Sequence, residues 1–486
     1  MSEPARAADL AALSAAAAVA AMARGEITAE RYAAALLARC AAGRALNAFI
    51  TLEPERVLEA ARACDRRRSG GAAPGTLHGL PIPLKDSVNT CDYPTTAGTP
   101  ALRHFRPAQD AAVVSQLRAA GAIVLGKTNL HELSFGWTSN NKAFGPVRNP
   151  HDPARIAGGS SGGTAAAVAA GMAPLGLAED TEGSIRVPAA LCGVAGFRPT
   201  TGRYPNAGVA PISPLFDQVG PIARCVTDLV LFDDALAGGG ARAAAVAPAG
   251  IRLAVVRDYW FTDLHPEVER VAGAALRRLE DAGVELIETQ LPELRRLVDL
   301  TTGVIQGRDF RPAFAAYLAR HHAGVGVDEV LAAASEDVRR GIAQFTSPQG
   351  TYFASDDAYR AACEVYLPQL RAAYRDLFAR TGAAAVVFPA TRIPAPFIGE
   401  CRSVELGGGS VSFRSAIARN IGPGSTAALP GLVLPAGLTA EGLPVALELD
   451  APAGHDRALL QLGRALEAAL GPLPAAVSGA AATRAV

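Results

Sequence analysis

The sequence predicts an α/β fold: a large mixed β-sheet core covered by helices on both faces. Three observations carry that prediction. Short apolar runs recur along the chain, stretches of helical periodicity alternate with them, and two apolar runs near the C-terminus flank a turn as a hairpin does, which mixes an antiparallel pair into the sheet. With 486 residues, half of them hydrophobic, the chain is long enough to bury such a sheet on both sides.

Taken in order, the Ala-rich stretch Ala11 to Ala23 reads as an N-terminal helix. Glu3 and Asp9 precede it and basic residues are sparse, so it does not read as a secretory signal. Ile82-Pro83-Leu84 is a short strand that ends at Lys85. Asp110 is placed to cap a helix carrying Val113, Val114 and Leu117, Gly121 can end that helix, and Ile123-Val124-Leu125 follows as a buried strand. Ala165 to Ala170 is a helix directly after a glycine-rich segment, and the apolar run Ala173 to Leu177 is a strand. Leu253 to Val256 is another. Pro266 suits a first helical turn, Val268, Val271, Ala275 and Leu279 share one face, Gly283 closes the helix, and Val284 to Ile287 extends. Ala385 to Phe388, Gly431 to Leu434 and Leu443 to Leu447 complete the strands, the last two around the turn Thr439 to Gly442. A final helix from Asp456 carries Leu459, Leu462, Leu466 and Leu470.

We expect these elements to form one domain over residues 1–486. It would comprise an N-terminal helical region at about 5–70, a catalytic core at about 71–236, a loop at about 237–250, substrate-side helices with the rest of the core at 251–471, and a mobile tail at 472–486. The 46 basic residues balance 46 acidic ones, and 19% of the chain is charged. That balance argues against disorder and against a surface that coats nucleic acid. The seven cysteines are scattered without CxxC spacing, which fits neither a disulfide framework nor a zinc site and suits a reducing cytoplasm. No uncharged apolar run approaches the roughly 20 residues of a membrane span. The expected partner is a neutral small molecule, without nucleic acid or membrane.

The least ordinary segment is Gly158-Gly159-Ser160-Ser161-Gly162-Gly163-Thr164. Such a run lets backbone N–H groups converge on an anion or oxyanion at a helix N-terminus. The Lys and spacing of a phosphate-binding loop are missing. A second Ser-bearing turn runs from Ala178 to Arg186, where Ser184 follows a strand and can present its hydroxyl beside free amides, as acyl transfer requires. Serine needs a base. None of the eight histidines pairs with this turn in sequence, which leaves a Ser-His-Asp arrangement open in space only. Lys85 is the other candidate, because burial disfavours its charged form and lets a neutral amine accept a proton. A simple strand-end pair with Asp86 is the alternative. His131-Glu132 begins like a zinc helix, but Phe135 stands where the second ligand belongs.

Lys85, the Gly-Gly-Ser-Ser-Gly-Gly loop and the Asp180-Thr181-Glu182-Gly183-Ser184-Ile185-Arg186 turn, in this order and spacing, resemble the amidase signature family. The resemblance runs from about Asp9 to Gly471 and includes Leu77-His78-Gly79-Leu80-Pro81 and Pro211-Ile212-Ser213. It implies an amidase with a Ser-cisSer-Lys triad that hydrolyses a carboxamide C–N bond through an acyl-serine. Ser184 would be the nucleophile, Ser160 the relay after a cis peptide bond, Lys85 the base, and the backbone N–H groups of Thr181, Glu182, Gly183 and Ser184 the oxyanion hole. No metal or organic cofactor is implied, and a homodimer is compatible with it.

Ala178, Glu179 and Glu182 depart from the family's Gly-Thr-Asp-Thr-Gly-Gly-Ser. Glu182 brings a carboxylate to a place where negative charge develops: pointed away it is harmless, pointed inward it would bind a cationic substrate or depress activity. Asn129 to Gly136, Arg198 to Arg203 and Leu447 to Gly454 are similar to the indoleacetamide and mandelamide hydrolase branch, which implies an aryl-acetamide-like substrate. Ser134, Phe135 and Trp137 are the candidate substrate-binding residues, with Gln306, Arg308, Asp309, Phe310, Phe345 and the loop 419–424 as further lining. The alternatives are the ammonia-generating subunit of a tRNA-dependent amidotransferase, or a hydrolase of bulkier N-substituted amides or carbamates.

Overall fold

The apolar runs assemble into one 11-stranded mixed sheet in the computed structural model, which describes residues 7–71, 73, 75–238, 246–399 and 402–474. Across the sheet the strands are Phe49–Thr51, Ile123–Thr128, Pro81–Lys85, Leu175–Asp180, Gln218–Ala223, Ala195–Arg198, Gly431–Leu438, Pro444–Asp450, Ala385–Pro389, Arg252–Val255 and Glu285–Glu288. Pro81–Lys85 lies parallel to both Ile123–Thr128 and Leu175–Asp180. Another parallel group, Ala385–Pro389, Arg252–Val255 and Glu285–Glu288, lies toward the far edge. The strands between are antiparallel, and the C-terminal hairpin pairs Gly431 with Asp450 and Leu438 with Pro444.

Helices cover both faces because strand side chains alternate. A Cβ at Gly431 would stand 2.9 Å from Asp450 and 3.1 Å from Arg186 in the helix Arg186–Cys192, which packs on this face. The next residue, Leu432, packs from the opposite face against Gly463 in the last helix, Asp456–Leu470. That last helix has the expected apolar stripe, with Leu459, Leu462, Leu466 and Leu470 all buried.

Two local expectations need correction. The Ala-rich N-terminus is not one helix: it breaks between Ala7–Ala12 and Ala15–Arg24, where the Ser14 hydroxyl accepts the Ala17 N–H at 3.1 Å. The carboxylate of Asp228 takes the next orphan donors, Ala15 N and Ala16 N, at 2.8 and 3.0 Å. Asp110 also does not cap its helix. That helix is Ala112–Ala119, and the Asp110 carboxylate instead accepts the Cys91 N–H at 2.9 Å and pairs with Arg118. The expected loop at 237–250 and tail at 472–486 lie partly outside the described residues. Among the described residues no helix is long and apolar enough to cross a membrane.

Candidate active site

Two neighbouring parallel strands end at the same edge of the sheet, and each delivers a charged side chain into the protein. Pro81–Lys85 ends on Lys85, and Leu175–Asp180 ends on Glu179 and Asp180. Parallel strands concentrate loops and binding groups at their carboxyl ends. All three residues are at least 99% removed from solvent, so each needs a partner.

Lys85 Nζ has three acceptors: Ser160 Oγ at 2.6 Å, Glu179 Oε2 at 2.8 Å and the Glu179 carbonyl at 3.4 Å. The strand-end pairing with Asp86 does not form. Asp86 turns to Lys127, 2.9 Å away, because Lys127 comes from the adjacent strand. The peptide bond between Gly159 and Ser160 is cis. Ser160's carbonyl accepts the His131 N–H at 3.0 Å and the Ser139 hydroxyl at 3.1 Å, which ties this loop to the segment at 131–139. The helix Gly162–Ala169 starts immediately after it. At Gly163 a side chain would stand 2.3 Å from the Asn129 carbonyl and 2.4 Å from that of Ala48, so close backbone approach requires glycine there.

The Ser184 turn is shaped by Asp180. Its carboxylate accepts the N–H groups of Gly183 at 2.7 Å and Ile185 at 3.0 Å, and it pairs with Arg186 at 3.0 Å. Gly183 has φ +100°, a conformation that favours glycine, with a Cβ position only 3.0 Å from Ile421. Of the four amides expected to form an oxyanion hole, Gly183 N–H is therefore already engaged. The N–H groups of Thr181, Glu182 and Ser184 have no protein partner among the described residues. The Ser184 carbonyl accepts the Ser161 N–H at 3.2 Å, which clamps the two serine-bearing loops together.

Glu182 directs its carboxylate away from the strand ends toward helices that arrive later in the chain. Arg414 Nη2 donates to it at 3.0 and 3.1 Å, and Gln306 Nε2 at 3.0 Å. The cation that faces Glu182 is supplied by the chain itself. The Glu182 carbonyl accepts the Trp137 indole N–H at 2.9 Å, so Trp137 lies against the turn. The Arg414 guanidinium is 5.9 Å from the Trp137 ring and 5.3 Å from that of Phe345. Phe135 packs between Phe310 and Phe345, at centroid distances of 5.5 and 6.0 Å. Ser134 is buried, with its hydroxyl unpaired and φ +57°.

Other expected lining residues diverge. Arg308 pairs outward with Asp356, and Asp309 accepts the hydroxyls of Ser213 at 2.6 Å and Tyr359 at 2.7 Å. In the loop 419–424, Asn420 is buried on the carbonyls of Trp260 and Pro389. The His131 ring packs against Gly136, and its Nδ1 is 3.1 Å from the Thr138 hydroxyl. Burial lowers its pKa to about 4, helped by the charge of Lys85. Two participants were not anticipated from sequence. Asp217 receives the Thr181 hydroxyl at 2.6 Å, and Arg414 neutralises Glu182. The only sequence signal was the pair of family departures: Glu182 is the partner of Arg414, and Glu179 shares the Thr181 hydroxyl with Asp217.

Comparison with known proteins supplies the context. Residues 31–460 match the Amidase family. An indoleacetamide hydrolase from Agrobacterium vitis is 39% identical, covering 90% of this chain and 92% of its own. A mandelamide hydrolase from Pseudomonas putida is 37% identical over 92% of this chain and 89% of its own. A solved structure described as an amidase superposes with a TM-score of 0.84 at 33% identity, covering 94% of this chain and all of the other.

Proposed function

The chain belongs to the amidase family, and from that premise we propose that it hydrolyses the carboxamide of an aryl-acetamide-like small molecule, with Ser184 as nucleophile, Ser160 as proton relay and Lys85 as base. The observation that carries this reading is the 2.6 Å contact between Lys85 Nζ and Ser160 Oγ, held behind the loop that is clamped to Ser184. Ser184 Oγ attacks the carbonyl carbon as its proton passes to Ser160, and the Ser160 proton passes to neutral Lys85. The carbonyl π bond opens onto oxygen, and the free N–H groups of Thr181, Glu182 and Ser184 receive the resulting charge. Preorganised donors of this kind are worth about 100–1,000-fold in rate each.

The return path protonates the leaving nitrogen. The C–N bond breaks, ammonia departs, and water then cleaves the Ser184 ester by the same relay run again. Buried Lys85 suits the base role because it starts each cycle with its proton partners fixed, so little reorganisation accompanies transfer.

Substrate class follows from the wall beside the turn. Trp137, Phe135 and Phe345 are half-buried aromatics: Trp137 donates to the Glu182 carbonyl, Phe345 lies beside the Arg414 that holds the Glu182 carboxylate, Phe135 packs on Phe345, and Gln306 donates its amide to the same carboxylate. Such a slot takes a flat apolar group and orients it by few polar contacts. A cytoplasmic location and a homodimer belong to the same reading. The test is ammonia release from indole-3-acetamide, mandelamide, phenylacetamide and glutamine by the purified chain and its Ser184→Ala variant. Turnover of the aryl-acetamides that vanishes in the variant supports the proposal. Turnover of glutamine alone would replace the substrate class, and equal rates in the two proteins would overturn the mechanism.

A further inference from the structure

Glu179 stands where the family pattern has threonine, and hydrogen-bond accounting around it does not close with ordinary charges. Its Oε2 faces Lys85 Nζ at 2.8 Å, while Oε1 lies 2.9 Å from the Thr181 hydroxyl. The same hydroxyl lies 2.6 Å from Asp217 Oδ1. A threonine hydroxyl has one proton to donate. It cannot satisfy two carboxylate oxygens at once, and at these distances two unprotonated carboxylates would leave one oxygen facing a lone pair. Water does not relieve the conflict, since Glu179, Thr181 and Asp217 are all buried.

We propose that Glu179 and Asp217 share one proton through the Thr181 hydroxyl, and that the position of this proton decides whether Lys85 faces a carboxylate or a neutral acid. Glu179 is thus a positioning residue that acts through the base. The inference rests on the reading of Lys85 as that base.

Two arrangements balance. In one, Asp217 carries the proton and donates to Thr181 Oγ1, Thr181 donates to Glu179, and Glu179 is a carboxylate beside Lys85. In the other, the Asp217 proton has moved to Thr181 and the Thr181 proton to Glu179, so one O–H bond breaks and one forms at each transfer. Asp217 then accepts from Thr181 as well as from the backbone N–H groups of Ile212 and Ser213, at 2.9 and 3.0 Å. A carboxylate beside Lys85 favours its ammonium form and withholds the base, whereas a neutral acid removes that bias. Burial, reinforced by the charge of Glu179, raises the Asp217 pKa to about 7, so the pair keeps its shared proton up to about that pH.

The other charges around this network are committed elsewhere. Asp86 is paired with Lys127, Asp180 with Arg186 and Arg198, Glu182 with Arg414, and Asp309 holds Ser213 and Tyr359. Arg198 acts on Asp217 through space, and its position is fixed by the carbonyls of Leu429 and Phe216. His131, whose pKa lies at about 4, is neutral where the pair titrates.

The experiment is the pH dependence of kcat/KM on phenylacetamide for wild type, Glu179→Gln and Asp217→Asn, with Thr181→Ser and Thr181→Val as hydroxyl controls. Glu179→Gln removes the carboxylate facing Lys85, so the acidic limb moves to lower pH by about one unit or more. In Asp217→Asn the amide donates to Thr181 as the acid would and fixes Glu179 as a carboxylate, so the limb moves to higher pH. Thr181→Ser keeps the wild-type limb and Thr181→Val does not. KM stays within about threefold, since none of these carboxyls touches substrate. Shifts in opposite directions support the shared proton. A shift with Glu179→Gln alone, or lower rates with an unmoved limb, overturns it.

A second measurement needs neither activity nor a stable variant. Infrared spectra of wild-type protein carrying carboxyl-labelled aspartate and, separately, carboxyl-labelled glutamate should show a protonated-acid band lost as the pH rises through about 7, and its absence from both overturns the proposal. A wild-type enzyme inert on every amide would instead overturn the functional reading while this band remained testable.

Discussion

Two buried charge clusters flank the Ser184 turn, and they are built differently. On one side, Arg186 reaches Asp180, Glu448 and the Ser425 hydroxyl, while Arg198 lies 3.6 Å from Asp180. On the other, Lys85, Glu179, Thr181 and Asp217 form a chain that ends at Ser160. The first cluster is held by guanidinium groups, whose rigid donors fix several partners and do not release protons. The second uses an amine and a hydroxyl, which do. Burial alone would push the Asp180 carboxyl up, but the charges of Arg186 and Arg198 bring it down to about 2. Asp217 has no such partner at contact distance and is pushed up to about 7 by burial and by Glu179. The lesson is that equal burial leaves a carboxyl ionised where guanidinium groups face it, as at Asp180, and raises it where another carboxylate does, as at Asp217.

The largest expected effect separates the clusters by what fails. Ser184→Ala should lower kcat/KM on an aryl-acetamide by at least about 1,000-fold while leaving the thermal unfolding midpoint near that of wild type, and Lys85→Met should lose as much activity but also some stability, since it leaves Glu179 buried without its cation. Arg186→Met should do the reverse. It strands Asp180, Glu448 and Asp450 without their shared cation, and breaking one partner of a buried ionic cluster costs about 3–5 kcal/mol. Denaturant unfolding checks this. An Arg186→Met protein as stable as wild type would erase the distinction drawn above.

A smaller effect lies in the acid range. The folded-state Asp180 pKa is depressed below the value of a free side chain, so its stabilisation is fully present above about pH 4 and is lost as pH falls toward 2. Asp217 has the opposite sign: its pKa is raised, so its contribution is lost as pH rises from about 4 through 7. Unfolding free energies should therefore show Asp180→Asn removing an acid-side slope worth about 2–3 kcal/mol, and Asp217→Asn removing a slope on the neutral side. Identical pH profiles for the two variants would show that the clusters do not differ electrostatically.

These clusters also mark how far sequence reaches. The strands were legible because apolar runs such as Ile82 to Leu84 and Ala385 to Phe388 state their burial directly. The segment with Ser160 stood out because dense glycine has few structural uses before an apolar helix, and Ser184 because it lies on a turn directly after a strand. Asp217 was not legible. It enters because Leu175–Asp180 pairs antiparallel with Gln218–Ala223, with Asp180 opposite Gln218, so that Asp217 comes level with Thr181. That register is set across 36 residues of chain and leaves no local pattern. The Asp110 cap failed for a related reason: a distant donor, Cys91 N–H, took the carboxylate that local rules assigned to the helix.

The mildest test concerns Glu182, the charged residue in the nucleophile turn that belongs to neither cluster. Its carboxylate is 9% exposed and its partner Arg414 is 32% exposed, so water screens the pair and its worth in stability is about 1 kcal/mol or less. Its effect should therefore appear in selectivity. In the intact protein Arg414 and Gln306 occupy the carboxylate, so the proposed slot beside Trp137 and Phe345 meets no free charge of Glu182. Arg414→Ala frees one negative charge beside that slot and removes the cation from both rings. Activity on phenylacetamide should fall by about threefold to tenfold, and the ratio of activity on 4-(aminomethyl)phenylacetamide to that on phenylacetamide should rise, with the gain shrinking as salt is added. Glu182→Gly, which restores the family's residue, should leave Arg414 unpaired and move the same ratio in the opposite direction. If both variants shift the ratio the same way, Glu182 and Arg414 do not act as a pair on the substrate, and the charge in the turn is a tolerated departure without a role in selection.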